Sequence, residues 1–352
     1  MSRRNPSSTS SSETRPRADV AKLLGRVALL ATLVAGSMAF FFWGPLPYKH
    51  QLAMLIDKRV MLDATPSPRV ILVGGSNLMF GVDSDVLEQA LGVPVVNMGV
   101  FGGLGLLAPL DVILPHVRPG DTVVLVPEYE MLFTGLAPFA KDYYRWFLAV
   151  DPKAAWRFYY ARERPQVLLS DFLMLMRDKL GALFVIPFKG NHSLAGNGYI
   201  RYEQVVNRFG DGSEEIRPAP PDQLAGRNNV YREDAFKNAI VAQLNESTAR
   251  LQAREARVLL TFGVFPDGEY ALNQGIIDAT AGQLREDGTF QVVGTPRDFL
   301  YPYADFSDSV NHLRPAARTL RTRRLAELLA EAGVGKGKAS VTATAAAPRA
   351  AR

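Results

Sequence analysis

A serine can become a nucleophile only where a base can take its proton, and Ser76 sits in a segment built for that exposure. Val70-Ile71-Leu72-Val73 is a short run of β-forming residues that leads directly into Gly74-Gly75-Ser76-Asn77. Two residues without Cβ allow a sharp turn from strand to helix, and the unpaired N–H groups of such a turn can receive an anion. An activated hydroxyl also needs a histidine, and the histidine an orienting carboxylate. The chain has four histidines, His50, His116, His192 and His312. Only His312 has both a nearby acid and a suitable place, in Asp305-Phe306-Ser307-Asp308-Ser309-Val310-Asn311-His312 just before the last helical pattern. Ser76, His312 and Asp308 are therefore the candidate set for acyl-group chemistry. Two plainer uses of the segment compete. A serine after a strand is also an ordinary helix cap, and the G-x-S-x-G elbow would need glycine where Leu78 stands. The quartet could also cradle a phosphate, but neither a P-loop lysine nor a dinucleotide fingerprint accompanies it.

The surrounding pattern says what must hold these residues. Apolar β-rich stretches at 69–73, 93–96, 122–126, 257–264 and 290–293 alternate with helical ones. Asp85 with Glu88 reads as a capping box for a helix that Gly92 ends. Further helices are expected up to Val117, over 232–254 and 271–286, and from Pro315 to Ala332. Strands alternating with helices predict a parallel sheet covered on both faces, with ligands outside the carboxyl ends of its strands. Ser76, Gly99 and Glu128 each follow such an end. Residues 132–230 break the rhythm and read as an inserted, mostly helical cap over the strand ends, between domain parts at 47–131 and 231–332. The cap has aromatic clusters (Tyr143, Tyr144, Trp146, Phe147; Trp156, Phe158, Tyr159, Tyr160) and a helical stretch from Asp171 to Phe184. The aromatics suit ordinary packing, and also contact with a membrane or a sugar polymer.

Composition removes several classes of function. The 352 residues carry a formal charge of +5, but the tails hold the excess: +4 in 1–26 and +4 in 333–352, leaving −3 between them. Nucleic acid is thus not an expected partner. No cysteine is present, which excludes disulfides and thiol catalysis, and the histidines lack metal-site spacing, so no metal or other cofactor is expected. Val27 to Leu46 is an uncharged apolar run, long enough at about 1.5 Å per residue for a bilayer core of about 30 Å. Arg3, Arg4, Arg15, Arg17, Lys22 and Arg26 precede it, which predicts a cytoplasmic N-terminus and an outward-facing body. A cleavage site near Ser37-Met38-Ala39 is the rival reading, disfavoured because the apolar run continues through Phe40–Trp43. Residues 1–26 and 333–352 read as disordered tails.

Ser76 after the first strand, Gly99 after the second, and Asp308 with His312 before the last helix resemble the SGNH, or GDSL-type, hydrolase superfamily over about 69–130 and 257–332. Within it, the single N-terminal anchor, the insertion and an Asp followed at short distance by His-Leu are similar to the branch of alginate acetylation proteins and the D-alanine transfer protein. The resemblance implies a flavodoxin-like three-layer α/β/α sheet and acyl-ester chemistry on Ser76, with His312 as base and Asp308 as its partner. It also implies an oxyanion hole from the backbone N–H groups of Ser76 and Gly99. Two departures stand out. The Asp-to-His gap is one residue longer than the usual Asp-x-x-His, which leaves Asp305 as an alternative. The third block, where an Asn would donate to the oxyanion, reads Pro127-Glu128-Tyr129-Glu130. Asn77 or Asn97 would have to substitute, or the hole is weaker. The implied function is a membrane-anchored acyltransferase or esterase acting on hydroxyls of an envelope or exported polysaccharide, supplied by a multispanning membrane protein. The alternative is a degenerate subunit of the same fold that binds glycan or scaffolds such a complex.

Overall fold

A computed structural model describes residues 15–43, 54–137, 148, 151–189, 207–212, 219–236 and 238–335. Of the expected disordered termini, residues 1–14 and 336–352 fall outside these residues, while 15–26 are helical because they continue the apolar helix that follows them; His50, His192 and the cluster Tyr143, Tyr144, Trp146 and Phe147 also lie outside.

Parallel strands with both faces covered need continuous apolar sequence, and three segments supply it: β1 (Val70–Gly74), β2 (Val95–Asn97) and β3 (Thr122–Val126). With β4 (Arg257–Leu260) and β6 (Gln291–Val292) they form a five-stranded parallel sheet in the order β2-β1-β3-β4-β6. A separate two-stranded parallel pair joins β5 (Phe265–Pro266) to β7 (Leu300–Tyr301). The expected strand 257–264 is thus shorter, because the chain leaves the sheet after Leu260 and pairs again with Leu300–Tyr301.

Right-handed crossovers decide where the helices lie. The β1-to-β2 connection carries α3 (Ser76–Met79) and α4 (Ser84–Leu91). Connections running the other way across the sheet carry α5 (Leu107–Ile113), α9 (Asn238–Gln252) and α10 (Asp267–Asp287), and so occupy the opposite face. The closing helix α11 (Pro315–Glu331) packs on α4 and belongs with it. Helix ends shift locally from the expected ones. Asp83, not Asp85, caps α4, accepting from Val86 N–H at 3.2 Å, while Glu88 reaches the Val95 N–H at 3.0 Å. Gly92 ends the helix at φ 66°, as its type suggests. Helix α10 opens four residues before the expected start because Asp267 and Glu269 suit a helix N-terminus.

Two apolar clusters result. The main one fills both faces of the sheet, from Ile71, Val124 and Leu259 in the strands to Leu325 and Leu329 in α11. The second gathers Phe41 at the end of α1 (Arg15–Trp43), Leu55 in α2 (Met54–Ala64), Val100 and Leu104 after β2, and Val112 near the end of α5. Ala155 in α7 (Pro152–Phe158) and Leu175 in α8 (Pro165–Lys189) belong to it too, with Ala108, Leu148 and Tyr160. Helix α8 contains the expected stretch from Asp171 to Phe184. In α1, residues Asp19–Phe41 are long and apolar enough to cross a membrane, and the most apolar stretch of that span is uncovered by the rest of the protein, which meets it only at its outer end around Phe41. The apolar segment thus begins before the expected Val27, and residues 44–46 lie outside the described chain.

Candidate active site

Strand β1 ends directly under Ser76, the first residue of α3. At this first position its N–H has no partner inside the helix. The two glycines before it are needed for close approach rather than for unusual dihedrals. A Cβ on Gly74 would overlap the Val126 carbonyl, and one on Gly75 would overlap the Glu128 carboxylate. Behind the turn, the buried Arg321 of α11 donates to the Asn77 carbonyl at 2.8 Å, which ties the nucleophile segment to the closing helix.

His312 reaches the serine from 236 residues away. Its Nε2 lies 2.7 Å from Ser76 Oγ, and its Nδ1 lies 2.7 Å from Asp308 Oδ1. An ionised Asp308 only accepts, so Nδ1 carries the proton and Nε2 of the neutral ring is free to accept from Ser76. Burial works to raise the Asp308 pKa, but the hydrogen bond and charge of His312 outweigh it and hold it below the usual carboxylate range. The loop is tightly folded for this purpose. Ser307 N–H donates to the His312 carbonyl at 2.8 Å, Arg314 N–H to the Asp305 carbonyl at 2.8 Å, and Ala225 N–H to the Asp308 carbonyl at 3.0 Å. Phe80 packs against the imidazole with ring centroids 4.7 Å apart. The longer gap between Asp308 and His312 is absorbed by this loop, and Asp305 is not the acid that meets the ring.

Glu128 stands on the other side of the hydroxyl. It is 4% exposed, and its Oε1 lies 3.1 Å from Ser76 Oγ while accepting the Asn77 N–H at 3.0 Å. A Cβ on Gly102 would overlap its other oxygen, so glycines close around the carboxylate from two sides. Burial pushes its pKa up, against the opposing pull of the Asn77 N–H, His312 and Ser76. The geometry poses a proton question. Ser76 has one hydrogen and two neighbours able to take it, so its bond to His312 is unopposed only when Glu128 is itself protonated.

Three expected oxyanion donors are engaged elsewhere. Gly99 N–H donates to Asn97 Oδ1 at 2.9 Å, because the Asn97 side chain folds back onto its own loop. Asn97 Nδ2 donates to the Leu78 carbonyl at 3.0 Å and to Asp211 Oδ1 at 2.8 Å. Asn77 Nδ2 points to the Val126 carbonyl at 3.3 Å. The Asn77 N–H, a natural donor to an oxyanion as the residue after the nucleophile, is the one Glu128 already holds.

Sequence reasoning missed a buried support behind the β2 loop. Lys58, fully buried, donates to the Gly99 carbonyl and, at 2.8 Å, to the Gly210 carbonyl. Its pKa is driven down to about 7 by burial, partly offset by Asp211. Asp211 in turn accepts from Ser84 N–H at 2.7 Å, Ser84 Oγ at 2.6 Å and Asn97 Nδ2 at 2.8 Å. Lys58 falls between Leu55 and Leu62 on the buried face of α2, and Arg321 between Ala317 and Leu325 on that of α11. A cation at an apolar-periodic position was the available signal for both. Asp211 lies in the polar, glycine-rich passage and carried no such signal.

The cleft over Ser76 has a volume of about 330 Å³. Among the described residues its titratable lining is Glu128, Glu130, Asp308 and His312, with no Lys or Arg, and Phe80, Phe101, Tyr231 and Phe265 supply aromatic walls. Among the described residues no group of three or more His, Asp or Glu side chains is arranged to hold a metal ion. The chain matches no model of a known protein family and no curated protein.

Proposed function

We propose that the protein is a serine-dependent O-acyltransferase or esterase, anchored by α1 in the plasma membrane with its N-terminus cytoplasmic and its catalytic body outside. The observation that carries the reading is the unbroken relay Ser76 Oγ to His312 Nε2 and His312 Nδ1 to Asp308, with both distances at 2.7 Å. In this reading Ser76 attacks an acyl carbonyl while His312 takes its proton. His312 then returns that proton to the departing oxygen, and a sugar hydroxyl or water resolves the acyl-enzyme with His312 again as base. The likeness to the SGNH-type, membrane-anchored branch points to an acetyl or similar acyl group and a cell-envelope or exported polysaccharide. A multispanning membrane protein would deliver the acyl group. The carboxylate-lined cleft favours an acceptor that is neutral or cationic beside the reacting hydroxyl, and its lack of basic residues counts against a phosphate or nucleotide ligand.

A second reading has its own observation. Glu128 occupies the Asn77 N–H and sets a carboxyl group where negative charge would develop, as expected of a subunit that keeps the fold and binds glycan without turnover.

Fluorophosphonate labelling of the full chain in native membranes, with the adduct located by peptide mass spectrometry, separates the two. An active enzyme is labelled at Ser76, and both Ser76→Ala and His312→Ala abolish the signal. An unlabelled wild type that melts cooperatively points to the binding subunit.

A further inference from the structure

Helix α8 has more apolar surface than the protein covers. Leu168, Phe172, Leu175 and Met176 pack into the second cluster. Leu169, Leu173, Leu180, Leu183 and Phe184 are exposed, Leu173 at 57% and Phe184 at 73%. At 3.6 residues per turn these five fall within an arc of about 100°, beside the packed one. The helix is apolar over both its covered and its uncovered arcs, but Asp171, Arg177, Asp178 and Lys179 interrupt it, which sets it apart from a membrane-spanning helix.

The covered stripe of α8 meets the outer end of the apolar span. Phe172 stacks on Phe41 with centroids 4.7 Å apart, and the buried Lys179 donates to the Phe41 carbonyl, one of the last carbonyls of α1. Phe41 is also the last residue of the span long enough to cross a bilayer. The helix that carries the uncovered stripe therefore meets α1, through Phe172 and Lys179, at the level at which α1 leaves the membrane. Nearby, α7 exposes Trp156 at 53%, flanked by Lys153 and Arg157, a composition suited to the headgroup level.

We infer that the uncovered face of α8 lies in the outer headgroup–acyl boundary of the same bilayer that α1 crosses, so that the catalytic body rests on the membrane instead of swinging from its anchor. The inference rests on the reading of α1 as a membrane span. It has a consequence for the site. Val100 and Leu104 of the β2 loop are buried in the cluster that holds Phe41 and Leu175, and Val100 through Gly103 line the cleft over Ser76. One wall of the cleft is thus continuous with the membrane-side packing, which suits an acyl donor arriving from a membrane protein or lipid.

The chain has no cysteine, so single labels can be placed without other changes. Leu173→Cys, Leu180→Cys and Phe184→Cys would each carry an environment-sensitive NBD label in the full chain, reconstituted in phosphatidylethanolamine–phosphatidylglycerol vesicles. Leu30→Cys in α1 and Leu320→Cys, exposed on α11, are the references. For side chains about 5–10 Å into the boundary, the α8 labels should lose about half their emission to shallow nitroxide lipids, while Leu320→Cys loses none. Quenching at Leu30→Cys but not at the α8 positions overturns the inference and leaves the anchor intact. Quenching on α8 while Leu30→Cys escapes nitroxides set deep in the acyl chains overturns the anchor and, with it, the shared bilayer, and quenching at neither overturns both. Blue-shifted α8 emission that no lipid quencher reaches means the stripe is covered by protein, a second copy or another chain, and also overturns it.

Discussion

Ser76 sits between two carboxyl-bearing regions that handle negative charge in opposite ways. On one side, Asp308 is 45% exposed, its pKa is held low, and it meets the hydroxyl only through a histidine. On the other, Glu128 is buried, its pKa is raised, and it touches the hydroxyl directly. The first arrangement keeps a charge where it can steady an imidazolium. The second keeps a carboxyl where its charge would oppose an oxyanion formed by the attack proposed for Ser76. In that proposed reaction the histidine side alone would not define the outcome. The protonation state of Glu128 decides whether the serine proton is shared or committed.

The strongest test of the histidine side is Asp308→Asn. The amide can hold the ring in the other tautomer, which leaves Nε2 protonated and unable to accept from Ser76. The rate of fluorophosphonate labelling should fall by roughly 10²–10⁴-fold with little change in melting temperature. Retention of wild-type labelling would mean that the acid is dispensable and that the comparison rests on Glu128.

Asp211 sharpens the contrast because it is as buried as Glu128 but saturated with donors and opposed by Lys58. Here the charge is structural. Asp211→Asn removes the partner charge of Lys58 and converts two strong acceptors into mixed ones, and should cost about 3 kcal/mol in chemical denaturation of the full chain. A cost within about 0.5 kcal/mol would show that Lys58 is neutral in the folded protein. That outcome fits the pKa of about 7 at a pH well above it.

The sheet and the pairing of Ser76 with His312 were readable because each rests on local pattern: β-forming runs ending in glycine, and a histidine four residues after an acid. Ser76 follows the carboxyl end of β1, where an α/β sheet exposes its ligand-facing turns, and the loop between β7 and α11 carries His312 to it. The Gly99 N–H is engaged by Asn97 for a reason no local pattern carries. Whether Gly99 N–H faces the cleft depends on the χ angles of Asn97, and these are set by Asp211, more than a hundred residues away in a polar loop. Glu128 was visible as a misfit in a familiar place, yet its contact with Ser76 depends on the absence of Cβ at both Gly75 and Gly102, which only the folded chain brings together.

Glu128→Gln breaks the comparison most directly, with the smallest expected change. The amide keeps the shape and can still accept the Asn77 N–H, but it removes the charge that opposes the oxyanion and competes for the serine proton. Labelling at Ser76 should become about tenfold faster at a pH where the wild-type carboxyl is ionised. Stability supplies an independent readout. A carboxyl whose pKa is raised on folding binds more protons in the native than in the unfolded state, so wild-type stability falls as pH rises from the ordinary value near 4.5 toward the raised one. Glu128→Gln lacks that slope, and its urea midpoint should gain on the wild type across the same interval. Slower labelling, with the stability slope removed as expected, would instead identify Glu128 as a proton donor that the reaction needs. The second region would then be part of the machinery that the first only begins.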